Sequence, residues 1–441
     1  MNPRPDWHGD PSPAKRRALA ALAASLPAGP EFTRALAARV PRHSVSAVLP
    51  TWNRCPFNPA GHLADNPLYW AVTTLRAQAG DALTEIVVID DGSTDHTREV
   101  VELLAADRHP VAVRPVTCED HQGAWRARNL GAAAAAGPLL YFGDDDCAFP
   151  PHTVAGAACA LALLRERDPS AAAVGTPFYY RGLAPSAVLP DERIGALDPG
   201  AGTFSTGFHA VPASCLNGRP QLTGEAGLLT PLRVKLIGGT ALSDATVLRA
   251  AGGFADLSAW ASGYSDHLHL CASLADAGAH LYHCPDPRLG AAHLKFGAAG
   301  AYPLDPADLG TVIAALGRPL ADLVAISAVP RAGTGHRLAD GSFFPEQVGS
   351  FFAFFAARSP AGAAAWAVRA WHEFAQDGQA PTLAVAGVPG RDDRARAWRD
   401  GLRAAASTLA ESPSPPMSRA ALAVLLREVT DACGQPEISG W

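Results

Sequence analysis

A short apolar run that ends in three consecutive aspartates constrains this sequence most. Residues 139–142 have the composition of a buried strand, and Asp144, Asp145 and Asp146 follow it. Carboxylates at the end of a buried strand repel one another and lose solvation. Burying each charge costs several kcal/mol unless the carboxylate is paired or bound to a cation. Mg²⁺ and Mn²⁺ prefer oxygen ligands, and Mg²⁺ combines one or two carboxylates with substrate phosphates. The triplet therefore predicts a divalent cation site that takes a phosphorylated ligand.

Strands alternate with helices in the part of the chain that leads to the triplet. The predicted strands are 44–49, 85–89, 110–116 and 139–142, and the predicted helices are 68–78, 99–104 and 123–136. This alternation predicts a parallel, doubly wound α/β sheet, in which ligands bind beyond the carboxyl ends of the strands. Thr51, Asn53 and Asp91 end the first two strands, so we expect them beside the triplet. Neither a dinucleotide-binding glycine motif nor a P-loop follows the first strand, which argues against both classes.

Five motifs, taken in order, resemble glycosyltransferase family 2, whose members are GT-A fold enzymes that use nucleotide-sugars. The resemblance covers residues 44–296. The motifs are Pro50-Thr51-Trp52-Asn53-Arg54, Asp90-Asp91-Gly92-Ser93-Thr94-Asp95, Ala127-Arg128-Asn129-Leu130-Gly131, Asp144-Asp145-Asp146 and Gly252-Gly253-Phe254. The resemblance implies an α/β fold of GT-A type, Rossmann-like, with a mostly parallel sheet flanked by helices and, in this chain, a helical C-terminal region.

The resemblance also implies roles for individual residues. Asp91 would bond the base, usually uracil, Asp144 the ribose, and Asp146 the Mg²⁺ or Mn²⁺ ion that bridges the donor diphosphate. His293 is the candidate for a second metal ligand, since imidazole suits Mn²⁺. The nucleotide-sugar site would consist of Pro50, Thr51, Asn53, Arg54, Asp91, Arg128, Asn129, Asp144 and Asp145.

The segment that should supply the general base departs from the family pattern. Family members carry Glu-Asp at the start of a helix, and alignment on Gly278 puts Asp266 on the Glu and His267 on the Asp. Either a carboxylate or a neutral histidine can remove the proton of an acceptor hydroxyl. A one-residue shift of the helix start would restore Asp266, which we prefer to His267.

Several of these residues also have a purely structural interpretation. The turn 90–95 can serve only as a strand-to-helix connection, in which Ser93, Thr94 or Asp95 caps the helix. Asn129 can bond a neighbouring loop, and Asp266 can cap its helix. Cys147 stands where relatives often have an acidic residue, but it can be a small buried hydrophobe.

Composition narrows the classes of function. The chain has 441 residues, 48% of them hydrophobic, and a net charge of -6, which gives no basic footprint for nucleic acid. No apolar run is long enough for a membrane span, and residues 1–13 do not have the features of a secretory signal. The 8 cysteines show no Cys-x-x-Cys pair, so reduced thiols are expected. We therefore expect a cytoplasmic protein.

The chain divides into three predicted parts. Residues 1–43 form a helical extension, with helices at 14–26 and 31–40. Residues 44–300 form the catalytic domain, with a nucleotide-sugar half at 44–150 and an acceptor half at 170–300. Residues 301–441 are mainly helical, with helices at 345–357, 361–376, 391–410 and 418–432, and could bind the acceptor or form a homodimer. The candidate walls of the acceptor pocket are Phe204, Phe208, His209 and Trp260, and Lys295 could help to neutralise a diphosphate.

These observations together predict a metal-dependent, inverting glycosyltransferase. It would move a hexose-type sugar from a UDP-sugar, or another nucleoside diphosphate sugar, to a small soluble acceptor such as an aminocyclitol or antibiotic intermediate. Transfer to a peptide or protein is the enzymatic alternative. A catalytically inactive nucleotide-sugar-binding protein is the alternative of another class, because the acidic pair is altered. A sugar-nucleotidyltransferase shares the layout but lacks support, since residues 50–54 have no glycine-rich loop.

Overall fold

An eight-stranded sheet forms the centre of the protein in the computed structural model. The model describes residues 29–63, 66–180, 196–205, 222–223, 227–229, 231–259, 266–284, 286–293, 343–372 and 391–438. The strands of this sheet are β1 (Val45–Thr51), β2 (Leu83–Asp91), β3 (Ala112–Cys118), β4 (Leu139–Phe142), β6 (Ala171–Gly175), β12 (Leu232–Val234), β13 (Ala241–Asp244) and β14 (His280–His283). Their order across the sheet is β12-β14-β6-β13-β4-β1-β2-β3.

Most neighbouring strands in this sheet run parallel. β1 pairs in parallel with both β2 and β4, β2 with β3, and β6 with β14. Only β13, between β4 and β6, and β12, beside β14, are antiparallel to their neighbours. The carboxyl ends of β1, β2 and β4 therefore meet at one edge, as the alternation of strands and helices predicted.

Helices cover the sheet and continue into the C-terminal region. Their bounds are α1 (Gly29–Ala37), α2 (Pro59–His62), α3 (Pro67–Arg76), α4 (Thr97–Ala106), α5 (Ala124–Ala134), α6 (Thr153–Arg165), α7 (Ala245–Ala250), α8 (Asp266–Asp276), α9 (Phe343–Ala356), α10 (Pro360–Ala370), α11 (Arg391–Glu411) and α12 (Arg419–Ala432). The predicted fold class, α/β with a mostly parallel sheet and a helical C-terminal region, is confirmed. Within the described residues, no helix combines the length and apolar character that a membrane crossing needs.

Small sheets lie around the main one. A three-stranded sheet joins β5 (Cys147–Ala148), directly after the aspartate triplet, to β15 (Ala291–His293) and β7 (Phe178–Tyr180). Two hairpins consist of β8 (Ala196–Asp198) with β9 (Thr203–Ser205) and of β10 (Leu222–Thr223) with β11 (Leu228–Leu229).

The turn after β2 uses the residues that its geometry requires. Gly92 has a φ of 73°, a left-handed conformation that favours glycine. Asp95 accepts a hydrogen bond at 2.9 Å from the backbone N–H of Thr97, the first residue of α4. Its other carboxylate oxygen accepts from the backbone N–H of Cys55, also at 2.9 Å, so Asp95 ties this turn to the segment after β1.

The C-terminal helices share a hydrophobic core with one face of the sheet. Phe354 of α9 lies edge-on to the ring of His269 in α8, with ring centroids 4.9 Å apart. Trp366 of α10 and Trp398 of α11 are buried in the same cluster as Leu268 of α8. These helices therefore fix the far side of α8, whose first residues are Asp266 and His267.

One predicted element differs in the structure. The sequence predicts that residues 236–240 lead into a helix that ends at Gly252-Gly253-Phe254, but in the structure the strand β13 comes first and α7 follows it. The four residues of β13 fill the space between β4 and β6, where both neighbours pair with them. Asp244 then caps α7 by accepting from the backbone N–H groups of Thr246 and Val247. Residues 241–244 therefore form a strand, because pairing with β4 and β6 outweighs their local preference for a helix.

Some predicted features fall outside the described residues. These are the helix at 14–26 and the residues Phe208, His209, Trp260 and Lys295. The structure describes only the backbone of Phe204, within β9, and of His293, within β15.

His283 at the end of β14 should make folding depend on pH. Its imidazole is buried, and desolvation lowers its pKa from 6.5 to about 4. Between pH 6.5 and about pH 4, His283 binds a proton in the unfolded chain but stays neutral in the folded chain. Stability therefore falls over this interval, by up to about 1.4 kcal/mol per pH unit. Urea unfolding of wild type and His283→Gln should show a shallower pH dependence in the variant, and equal slopes would contradict the assignment.

Candidate functional site

The ends of β1 and β2 are joined by the side chain of Asn53. The side-chain Oδ1 of Asn53 accepts from the backbone N–H of Thr94 at 2.8 Å, and the backbone N–H of Asn53 donates to Ser93 Oγ at 2.9 Å. Asn53 has a φ of 50°, a left-handed conformation that asparagine tolerates better than most residues. The predicted nucleotide-site residue Asn53 therefore sets the relative position of two motifs. Thr51 is buried beside it, and Pro50 is buried within β1.

Asp91 organises the loop that follows β3. Its carboxylate accepts from the backbone N–H groups of Gln122, at 3.1 Å, and Gly123, at 2.8 Å. His121 Nδ1 lies 2.9 Å from the same carboxylate. The His121 ring stacks on the indole of Trp52, with centroids 3.9 Å apart and planes inclined by 17°. Trp52 remains 41% exposed, so an aromatic ring borders the strand ends beside Asp91.

The aspartate triplet forms a tight turn that Arg54 holds. Arg54 Nε donates to both oxygens of Asp145, at 3.0 and 3.2 Å, and its Nη2 lies 3.5 Å from Asp146. Asp145 and Asp146 are buried, whereas the side chain of Asp144 is 29% exposed. The Asp144 carboxylate therefore faces outward, whereas Arg54 supports the buried carboxylates of Asp145 and Asp146.

Burial and the clustered carboxylates shift the pKa values of Asp145 and of the adjacent Cys147. Burial raises the pKa of Asp145 to about 6, Arg54 opposes this shift, and the Asp146 carboxylate adds to it. Burial, with the carboxylates of Asp144 and Asp146, raises the pKa of the Cys147 thiol well above its usual range. Cys147 therefore carries a proton at neutral pH, and the structure buries it completely.

Arg128 joins the triplet to the start of α8. Its Nη2 donates to Asp144 Oδ1 at 3.1 Å, and its Nη1 donates to Asp266 Oδ2 in a short hydrogen bond. The guanidinium also lies 5.7 Å from the centroid of the Phe254 ring. Although burial opposes its charge, the carboxylates of Asp266 and Asp144 raise the pKa of Arg128. The predicted donor residue Arg128 and the predicted base Asp266 are thus one ion pair.

His267 lies next to this ion pair. Its Nε2 is 3.5 Å from Asp266 Oδ1, and its ring meets Phe254 edge-on. Burial lowers the pKa of His267, although the Asp266 carboxylate opposes this shift. A Cβ at position 239 would lie 3.1 Å from Asp144 Oδ2 and 3.3 Å from His267 Nε2, so the glycine lets both side chains approach the backbone closely.

Asn129 has a structural role that links two motifs. Its Nδ2 donates to the carbonyl of Phe254 at 2.8 Å, and its Oδ1 accepts from the backbone N–H of Phe254 at 2.9 Å. The amide therefore fixes the segment that follows Gly253, as the structural alternative in the sequence analysis allowed. Its place in the nucleotide pocket stays a prediction.

The structure brings most of the predicted site residues to one edge of the sheet. The residues that contact one another or are adjacent at this edge are Thr51, Asn53, Arg54, Asp91, Arg128, Asp144, Asp145, Asp146, Asp266 and His267. The backbone of His293 pairs with Cys147, the residue after Asp146.

Two residues at this edge, His121 and Gly239, were not predicted from the sequence. His121 and Gly239 carried no signal of their own, because one acts through a ring stack and the other through the absence of a side chain. His121 follows the edge strand β3, and Gly239 precedes β13, whose first residue pairs with the last residue of β4. Their position at this edge of the sheet was the signal that could have found them.

The triplet has the donor chemistry of a metal site. Asp144, Asp146 and Cys147 each place one ligand atom so that all three lie within 4.8 Å of one another. The carboxylate oxygens of Asp144 and Asp146 are hard donors, and hard divalent cations fit them. Carboxylates also outnumber guanidinium groups in the described part of this network, where Asp144, Asp145, Asp146 and Asp266 meet Arg54 and Arg128.

Loss of the Arg128 guanidinium should destabilise this edge of the sheet strongly. Arg128→Met leaves the Asp266 carboxylate buried without its partner, which costs about 3–5 kcal/mol. The matched control is Arg403→Met on α11, which removes an exposed ion pair with Asp400 worth less than about 1 kcal/mol. Urea unfolding measures both variants. An Arg128→Met midpoint equal to that of wild type would show that the pair contributes nothing to the fold.

Comparison with known proteins agrees with the motifs. Residues 46–184 match Glycosyl transferase family 2. A protein of Nostoc sp. that is named an uncharacterized glycosyltransferase is 38% identical over 82 residues, which are 19% of this chain and 24% of that protein. The match thus spans about a quarter of the length of this curated relative.

Two solved structures illustrate the structural likeness. The mannosyltransferase PcManGT from Pyrobaculum calidifontis, in complex with GDP-Man and Mn²⁺, is 18% identical, with 94% of this chain and 92% of that chain covered and a TM-score of 0.41. TarS of S. aureus, residues 1-349 in complex with UDP-GlcNAc, is 13% identical, with 88% and 89% covered and a TM-score of 0.45. The match of residues 46–184 to the family 2 model confirms the resemblance that the strand-end motifs predicted.

Proposed function

We propose that this protein is a metal-dependent glycosyltransferase that moves a sugar from a nucleoside diphosphate sugar, with UDP as the preferred nucleotide, to a small acceptor. The single observation that carries the proposal is the group of ligand atoms at the end of β4, where Asp144 and Asp146 lie close together inside the family 2 segment. The ends of β1 and β2 lie beside this group, as a donor that spans base, ribose and diphosphate requires.

The donor would lie across the strand ends. Trp52 offers an exposed indole, and aromatic rings stack on bases at roughly 1–3 kcal/mol per base. Asp91 keeps its predicted role toward the base, with its carboxylate held in place by the backbone of residues 122–123. Asp144, as the outward carboxylate of the triplet, would contact the ribose.

Asp146 would hold the divalent cation, with His293 as the predicted second protein ligand. Both Mg²⁺ and Mn²⁺ bind oxygen ligands, whereas a histidine ligand would favour Mn²⁺. When bound, such a cation stabilises the charge that develops on the leaving diphosphate. Arg54 supports the inner two carboxylates, so the chain positions the cation ligands before any donor arrives.

The acceptor side would activate a hydroxyl group with Asp266 or His267. A base on the face opposite the leaving diphosphate gives inversion at the anomeric carbon. We propose a small acceptor of the aminocyclitol or antibiotic-intermediate type, with a peptide or protein as the alternative. In the latter case the helices α9 to α12 would form the docking surface.

One observation favours a second candidate, a nucleotide-sugar-binding protein without transferase activity. Asp266, the preferred base, is committed to Arg128 in a buried ion pair. If no other group removes the acceptor proton, the site would bind donor but transfer nothing. Donor binding that is never followed by sugar transfer or by hydrolysis would support this candidate.

Thermal shift with nucleotides tests the donor and the metal together. Wild type titrated with UDP, GDP and dTDP, each with and without Mn²⁺, should show a metal-dependent shift with one nucleotide. Ligand at about a hundred times its dissociation constant adds roughly 2.7 kcal/mol, which raises the midpoint by several degrees. Asp146→Asn should lose the Mn²⁺-dependent part of the shift because one carboxylate ligand is gone.

The control variant is Asp400→Asn, which removes a carboxylate from the exposed ion pair with Arg403. It should shift as wild type does. A full Mn²⁺-dependent shift in Asp146→Asn contradicts the metal assignment, and the lack of any nucleotide shift in wild type contradicts the proposed function.

A further inference from the structure

One face of the C-terminal helix α9 packs on α8. The ring of Phe354 meets the His269 imidazole edge-on, with ring centroids 4.9 Å apart. The guanidinium carbon of Arg358 lies 4.4 Å from the centroid of the Phe354 ring. Phe354 and Arg358 are four residues apart, so they are neighbours on one face of α9. This face therefore presents an aromatic ring and a cation to α8.

Arg358 interacts with α8 at two positions. Burial lowers the pKa of His269 to about 4, and the Arg358 guanidinium contributes to this shift. Burial also lowers the pKa of Arg358, and the carboxylate of Asp276, the last residue of α8, opposes that shift. His269 and Asp276 are seven residues apart, a spacing that keeps them on one face of a helix. The contact between α9 and α8 therefore extends over two turns of α8.

This contact begins one turn from the end of α8 that lies in the site. His269 follows Asp266 by three residues, and residues three apart are neighbours on a helix. Asp266 holds Arg128, whose other hydrogen bond goes to Asp144 on the donor side. Protein interiors are densely packed and transmit displacements. A shift of α9 would therefore move the first turn of α8 relative to the donor side.

The next helix, α10, holds a second part of the predicted acceptor half, the hairpin of β8 and β9. Gly362 of α10 and Gly202 of the hairpin bring the two backbones into contact, since a Cβ at either position would overlap the backbone of the other segment. Arg369 Nη1 also donates to the carbonyl of Gly202 at 3.4 Å. Trp366 of α10 stacks on Phe355 of α9, with ring centroids 6.1 Å apart. The two helices therefore form one packed unit that touches both α8 and the hairpin.

We propose that α9 and α10 are a positioning element of the acceptor half and that Phe354 sets the place of the first turn of α8, an inference that rests on the proposed function. The two helices hold α8 and the hairpin at a fixed spacing, while the ion pair of Arg128 fixes α8 against the donor side. They serve the reaction from behind the site and touch neither the donor nor the reacting atoms. This role differs from the homodimer contact and the docking surface that the sequence left open.

Truncation of Phe354 tests this role. Amide hydrogen exchange of residues 266–272 should be faster in Phe354→Ala than in wild type, because the first turns of α8 lose their packing. Hydrolysis of UDP-glucose, UDP-N-acetylglucosamine and GDP-mannose with Mn²⁺ measures turnover with water in place of the acceptor. Its kcat should fall about 10- to 100-fold, the cost of a small misplacement in the site, with KM close to the wild-type value. The thermal shift with UDP and Mn²⁺ should stay as in wild type.

Two further variants make the comparison specific. Phe354→Leu keeps most of the buried apolar volume, so it should recover most of the rate, and it replaces the alanine variant if that one does not fold. The matched control is Phe352→Ala, which truncates an equally buried phenylalanine of α9 about 200° around the helix from Phe354. It should keep the wild-type exchange of α8 and the wild-type rate.

The hairpin contact is tested in the same way. Gly362→Ala forces α10 and the hairpin apart, so amide exchange of residues 196–205 should become faster than in wild type. Unchanged exchange there would contradict the part of the inference that concerns α10.

The outcomes separate this inference from the proposed function. Equal α8 exchange and equal hydrolysis in Phe354→Ala and Phe352→Ala overturn the inference alone. A change in only one of these two readouts, or a lost UDP shift in Phe354→Ala, also overturns it. The absence of any nucleotide shift in wild type, or donor binding by wild type without any hydrolysis, overturns the proposed transferase itself.

Discussion

The double ion pair of Arg128 is the interaction on which the rest of the site depends. It bridges Asp144, which follows a central strand, and Asp266, which begins a helix 138 residues later in the chain. Buried ion pairs of this kind add little net stability, but the loss of one partner is costly. The pair therefore fixes the distance between the donor side and the acceptor side more than it strengthens the fold. The carboxylates of Asp144 and Asp266 explain why Arg128 can be buried in α5.

Supporting contacts extend this arrangement in both directions. Asn129, next in the chain, clamps the backbone of Phe254, whose ring lies under the guanidinium of Arg128 and beside His267. On the other side, Arg54 holds the inner two aspartates of the triplet. The C-terminal helices complete the frame, since α9 packs Phe354 against His269 of α8. The reactive edge is thus built on strands and helices rather than on loops alone, which favours precise geometry.

Local signals in the sequence predicted the elements and their order, but not the contacts between distant residues. The apolar runs that became β1, β2 and β4, and the polar residues at their ends, were found because strand composition and turn chemistry are local properties. The strand β13 was missed because its pairing with β4 and β6 is tertiary. The ion pair of Arg128 with Asp266 was beyond sequence reasoning for the same reason, although both residues were already candidates. Without that pairing, the sequence favoured Asp266 over His267 as the base.

The central claim is that the aspartate triplet holds a divalent cation against the diphosphate of the donor. Anomalous diffraction at the manganese edge, from crystals grown with UDP and Mn²⁺, tests this claim most directly. The account predicts one strong anomalous peak at coordinating distance from Asp146 and from the UDP diphosphate. UDP bound at the strand ends with manganese absent from the triplet, or manganese bound away from the diphosphate, would contradict it.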